Sequence, residues 1–208
     1  MGKTVSAKNA KTPSTEPLPI RQQHKLMTKR RLMDASVRVF LNRGYADATI
    51  DDIVTTAAVG RATFYLHFKS KLEVMQELIR AITMQNEKLI EELRDISQPD
   101  AKTLGSWIRR FVEHCLAHGD RFIVGLQAFA SEPELSSEIQ TGTRLAADIV
   151  AALLKKRHRV SAAEAALRGE LLVFSLQHAC RSLVLNPEKR DVDLIVRVMT
   201  DIWMDNLA

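Results

Sequence analysis

From His24 onward, apolar positions recur at three- and four-residue steps, the spacing that lines one face of an α-helix. Leu26, Leu32, Met33, Val37, Phe40 and Leu41 make the first such stripe, which stops at "NRGY", where Gly44 supplies a C-terminal break. "ATIDDIVTTAAV" opens a second, shorter helix. Thr49 is a good N-cap there, and Asp51 and Asp52 stand in the first turn, where the helix dipole favours acids. A tight turn over Ala58–Gly60 leads into a third helix through "RATFYLHF". Ser70 with Glu73 then forms a capping box for a fourth, which continues to about Leu93.

Downstream the helical period persists between breakers. Pro99–Asp100 opens a helix ending near "HGD" at 118–120, and "RFIVGLQAFA" gives a short one before Pro133. A long helix covers roughly 134–157, and Ser161 with Glu164 caps another that stops before Asn186–Pro187. The last runs from about Asp191 to the C-terminus. No segment alternates as a strand does, and Asn-Gly and Asp-Gly hairpin turns are absent. The pattern predicts an all-α chain of about nine helices.

Composition adds bounds. A chain of 208 residues, 46% hydrophobic and 26% charged, is long enough to bury a core as one domain or two small ones. No apolar run approaches the roughly 20 residues of a membrane span, and the N-terminus lacks a signal-peptide apolar region, so the cytoplasm is the expected location. Two cysteines, Cys115 and Cys180, make no disulfide framework and are expected to be reduced.

The charge is unevenly spread. Residues 1–72 hold 13 Lys/Arg against 5 Asp/Glu, or +8; residues 73–208 hold 17 against 20, or −3, and the two sum to the overall +5. A basic front on a mildly acidic remainder suggests that the front meets a polyanion. Residues 1–22, with three prolines and few bulky apolar side chains up to Pro19, read as a disordered basic arm.

On a helical wheel Phe64 and Phe68 of the third helix coincide, with Ile53 and Val59 able to pack beneath them. Ala62, Leu66 and Lys69 project to the opposite side, flanked by Thr63 and Tyr65. An apolar Leu66 on the outer face of a cation-flanked helix suits a thymine methyl group better than water. Arg61 suits guanine; Thr63, Tyr65 and His67 offer donors for phosphates, and Lys69 and Lys71 extend the positive edge. The start of the second helix at Thr49 can present N–H groups to a phosphate. Two short helices joined by a tight turn, the second carrying these groups, match a helix-turn-helix.

Residues 30–79, "RRLMDASVRVFLNRGYADATIDDIVTTAAVGRATFYLHFKSKLEVMQELI", resemble the DNA-binding domain of TetR-family transcriptional regulators. The resemblance rests on F-x-x-x-G-Y ending the first helix, T-x-x-x-I starting the second and V-x-x-x-T-F-Y-x-H-F-x-x-K across the third. It implies that Thr49, Thr63, Tyr65, His67 and Lys71 hold the DNA backbone, and that Arg61, Ala62 and Leu66 meet bases. Three departures stand out. Ala57–Ala58 replaces the usual Ala-Gly, so any positive-φ turn residue must be a non-glycine. Gly60 stands where a capping serine is common, and Asp51 stands where a polar base-contacting residue is frequent.

These readings divide the chain into the arm at 1–22, a helix-turn-helix domain at 23–70, and a helical effector-binding and dimerisation domain at 71–208. The expected interface is the last two helices, through Leu172, Leu176, Leu183, Leu194, Val198, Ile202 and Trp203. A largely apolar effector site is expected from Trp107, Phe111, His114, Phe122, Gln127, Phe129, Phe174 and His178. The predicted function is a dimeric regulator, most often a repressor in this family, that binds a palindromic operator and is released by a small hydrophobic effector.

Other chemistries have little support. His114 and His118 are four apart in "HCLAH", but no further ligands stand at metal-binding spacing, so neither metal nor cofactor is expected. Phosphate-cradling glycine loops and nucleophile elbows are absent, which argues against an enzyme. The competing reading is a helical dimer whose basic front binds an acidic protein or a membrane.

Overall fold

The structure, a computed structural model, describes residues 19–96, 99–157, 159–186, 188 and 191–207. Nine α-helices and one short 3-10 turn are found among these residues, and no strand. Helix α1 (Ile20–Arg43) begins four residues before His24, so residues 20–22 of the expected arm are helical, while residues 1–18 lie outside the described residues. Helices α2 (Ile50–Ala57) and α3 (Arg61–Tyr65) follow, then α4 (Lys71–Asp95), α5 (Ala101–Ala117) and α6 (Gly119–Ser131). After the 3-10 turn Pro133–Leu135 come α7 (Ser136–Arg157), α8 (Ala162–Leu185) and α9 (Val192–Leu207). None of the described helices is long and apolar enough to cross a membrane.

The expected start signals work as local chemistry. Thr49 accepts from the Asp52 N–H, and the Asp52 carboxylate accepts from the Thr49 hydroxyl and N–H, a reciprocal capping box in which the hydroxyl first and the N–H second hold the Asp52 carboxyl below the usual range. Ser70, Asp100 and Ser161 each accept a backbone N–H three residues on. Helix α3 is shorter than "RATFYLHF" suggests, giving way to a turn after Tyr65.

Two apolar cores organise the packing. The first joins α1, α2 and α3 to the start of α4, around Leu32, Phe40, Tyr45, Ile53, Phe64, Phe68, Met75 and Leu78. It also takes in Val124 and Ala128 of α6 and Leu135 beyond it, so α6 is packed into this first core. Two polar contacts reinforce this seam: the Tyr45 hydroxyl donates to Glu132 at 3.2 Å, and Arg121 reaches Asp34 at 3.5 Å. The second core joins the end of α4 to α5, α7, α8 and α9.

Gly169 sets the rotation of α8. A Cβ there would lie 2.6 Å from the Ala147 carbonyl oxygen and 3.0 Å from the Ala151 nitrogen, so only glycine allows α7 and α8 to approach this closely. With Gly169 facing α7, Leu172, Leu176 and Leu183 turn into the core of their own chain. Trp203 is likewise fully buried, tilted against Trp107 with ring centroids 5.4 Å apart. These four expected interface residues are therefore internal in this chain. Leu194, Val198 and Ile202 of α9 are exposed, and α8 contributes Leu167, Leu171 and Phe174 to the apolar surface.

Candidate nucleic-acid interface and effector cavity

The turn between α2 and α3 is a Schellman motif made without glycine. The Val59 N–H bonds the Val54 carbonyl at 3.0 Å and the Ala58 N–H the Thr55 carbonyl at 3.1 Å, with Ala58 left-handed at φ +51°. The Arg31 guanidinium donates to the Ala57 carbonyl from α1, tying the same turn down. Phe64 and Phe68 anchor α3 in the first core, and Phe64 also meets the Tyr65 ring edge-on at 5.6 Å.

That anchoring leaves Arg61, Ala62, Tyr65, Leu66 and Lys69 exposed, with Thr63 partly covered; Leu66 is 76% exposed. Arg61 lies 2.8 Å from both Asp51 oxygens and 5.9 Å over the Tyr65 ring. Hydrogen bonding to Tyr65 and the nearby Asp51 carboxylate raise the Arg61 pKa further. The Arg61–Asp51 pair is exposed on both sides, so it orients the guanidinium at little cost to its release.

Three predicted contact residues sit differently from the rest. The Lys71 ammonium donates to the Tyr45, Ala46 and Ala48 carbonyls at 2.8, 2.7 and 3.2 Å, and so fastens the loop between α1 and α2. The Thr49 hydroxyl and N–H are both engaged by Asp52, whose charge occupies the start of α2. His67 packs its buried, unpartnered Nδ1 beside α1, and burial followed by the Lys25 and Lys29 charges lowers its pKa.

A cavity of about 370 Å³ lies between α4, α5, α6, α7 and α8. Phe111, His114, Phe122, Phe129, Phe174 and His178 of the expected effector set line it. Trp107 does not: its indole N–H donates to the Leu89 carbonyl at 2.6 Å and its ring stacks on Phe111 from behind. Gln127 also lies off the lining, its Oε1 buried without a partner, whereas Gln177 lines the cavity and bonds Thr143 at 3.1 Å.

Sequence reasoning missed the α4 wall, Ile79, Ile82, Asn86 and Ile90, although its three- and four-residue spacing was present to be read. His118 and Arg121 were missed as well. Burial and then the His118 charge hold the His114 pKa low; burial and then Arg121 do the same for His118. Cys115 and Cys180 also line the cavity, and their mutual contact and burial push the Cys180 thiol far up, which keeps it protonated.

The profile of bacterial regulatory proteins of the tetR family matches residues 32–78. The HTH-type transcriptional regulator SrpR of Pseudomonas putida is 44% identical over 52 residues, 25% of this chain and 24% of SrpR, so that likeness spans about a quarter of the relative. The HTH-type transcriptional activator FasR of Mycolicibacterium smegmatis is 26% identical over 169 residues, 79% of this chain and 76% of FasR. The crystal structure of the Bacillus subtilis regulator FadR with stearoyl-CoA matches the fold at TM-score 0.67 and 18% identity, over 86% of this chain and 99% of that one. Residues 32–78 thus match the tetR-family regulatory proteins, and over 86% of the chain the fold matches that of the solved regulator FadR.

Proposed function

We propose that the chain is a ligand-responsive transcriptional regulator, a homodimer in the cytoplasm that represses by binding a palindromic operator and is released by a small, largely apolar effector. The observation that carries this reading is the division of α3, with Phe64 and Phe68 held in the core while Arg61, Ala62, Thr63, Tyr65, Leu66 and Lys69 face outward. Arg61, Ala62 and Leu66 read base edges; Thr63, Tyr65 and Lys69 hold phosphates. Thr49, His67 and Lys71 support that surface from below. The DNA-binding unit spans 23–70 and the effector and dimerisation unit 71–208.

The dimer forms through the exposed stripe of Leu167, Leu171, Leu194, Val198 and Ile202. The effector occupies the cavity behind α4 and α6. Its apolar walls favour an apolar body, and the relative FadR, crystallised with stearoyl-CoA, lends support. Because α6 borders the cavity on one side and contributes Val124 and Ala128 to the head's core on the other, a ligand that moves α6 changes the set of the two heads.

The test is duplex binding across a salt series. A sequence-specific regulator keeps a preferred site at physiological salt, whereas a generic basic surface loses all sequences alike. Loss of every duplex at the same rate contradicts the proposal.

A further inference from the structure

The cavity's charge is concentrated at one place. His114, His118 and Arg121 follow one another at three- and four-residue steps across the junction of α5 and α6, and all three line the cavity. Arg181 joins from α8, and Glu87 is the single carboxylate among the described lining residues. His114 Nε2 is buried without a hydrogen-bond partner, as is Asn86 Oδ1 on α4. His114 and His118, in edge-on ring contact at 4.7 Å, also border a smaller outer cleft with Lys88 and Arg110. A purely apolar ligand would leave these groups unanswered, and buried polar groups without partners are costly.

Arg121 has a second attachment. Its guanidinium reaches Asp34 of α1 at 3.5 Å, the long end of an ion pair, and the Asp34 side chain is 60% exposed. Such a pair is weak in water, so a carboxylate arriving inside the cavity competes with Asp34 on favourable terms.

We propose that the effector is an amphipathic anion, an apolar chain ending in a carboxylate, whose head group sits at His114, His118 and Arg121 and draws Arg121 away from Asp34. This rests on the reading of the cavity as the effector site. It makes the anion and the α1–α6 contact mutually exclusive, which is a coupling between ligand and head that needs no longer pathway. It also makes binding proton-linked. The charged or titratable groups facing the two histidines are Glu87 and Lys88 from α4, Arg110 and Cys115 from α5, Arg121 from α6, and His178, Cys180 and Arg181 from α8. An anion among them favours the protonated imidazoles, so the complex takes up protons and tightens as pH falls.

The experiment is displacement of the neutral fluorophore N-phenyl-1-naphthylamine from the full chain by decanoate and by decan-1-ol, at about pH 6 and about pH 8. Decanoate is expected to bind at least about tenfold tighter than the alcohol at the lower pH, and to keep a smaller advantage at the higher, where the imidazoles are neutral and Arg121 is still charged. Arg121→Gln removes the preference and leaves the alcohol unchanged, whereas Asp34→Asn strengthens decanoate severalfold. Equal displacement by acid and alcohol at both pH values overturns the anion inference and leaves the effector cavity standing. An unchanged decanoate affinity in Asp34→Asn overturns the competition for Arg121. Displacement by neither compound overturns the effector-site reading, and this inference with it.

Discussion

Replacing Lys71 by methionine separates a structural lysine from a DNA-contacting one. The ammonium makes three hydrogen bonds to the Tyr45, Ala46 and Ala48 carbonyls and lies 4.8 Å over the Tyr45 ring. Methionine keeps most of the apolar stem and deletes all three donors. Hydrogen bonds to a charged group contribute about 1.5–3 kcal/mol each where the partner is desolvated. Here the Ala46 contact is exposed, so water replaces the lost donor and the combined loss is nearer about 2 kcal/mol than the sum. For a chain of this size that lowers the midpoint of thermal unfolding by about 4–8 °C, read by circular dichroism. Lys69→Ala is the control: its side chain is exposed, so stability holds while duplex affinity falls and the salt slope drops by about one. The reasoning is refuted if the Lys71 variant melts with the wild type and loses duplex affinity as the Lys69 variant does.

Other consequences are as direct. Ala58→Gly relieves the left-handed alanine at some cost in unfolded-state entropy, for a net gain of about 0.5–1 kcal/mol in urea unfolding. Gly169→Ala drives a Cβ into the backbone of α7 and costs about 3 kcal/mol, whereas Gly125→Ala, with open space around it, gains about 1 kcal/mol of helix propensity. His67, His114 and His118 all have pKa values below the ordinary 6.5, so the unfolded chain binds more protons near that value. Their neutral burial therefore supports the fold fully above it and is lost as pH falls through it. Unfolding midpoints measured from pH 7.5 to 5.5 should decline, less steeply in His114→Gln. Val198→Glu, on the exposed stripe, should give a monomer in analytical ultracentrifugation.

The sequence carried the fold further than the contacts. Helix starts at Thr49, Ser70, Asp100 and Ser161 were legible because capping is local, and the split of Phe64 and Phe68 from Tyr65 and Leu66 followed from a wheel. The absent glycine in the turn pointed to a non-glycine positive φ, and Ala58 supplies it. What failed was phase on helices apolar all round. In α8, both Leu172 and Leu171 lie on apolar stripes, and Gly169 against Ala147 and Ala151 decides which stripe turns inward. Trp107 was placed in the cavity because its spacing to Phe111 is right, but a neighbouring helix supplies an acceptor that holds it behind that wall. Lys71 looked like a phosphate ligand because a sequence does not display carbonyls 23 to 26 residues away.

The central question is whether α3 reads DNA. Selection of bound duplexes from a random pool with the full chain, at physiological salt, asks this most directly. The account predicts enrichment of a palindrome whose half-sites are spaced by about one helical turn or a multiple of it, with preference at one base position lost in Arg61→Ala. A pool that stays unenriched after repeated rounds would contradict it.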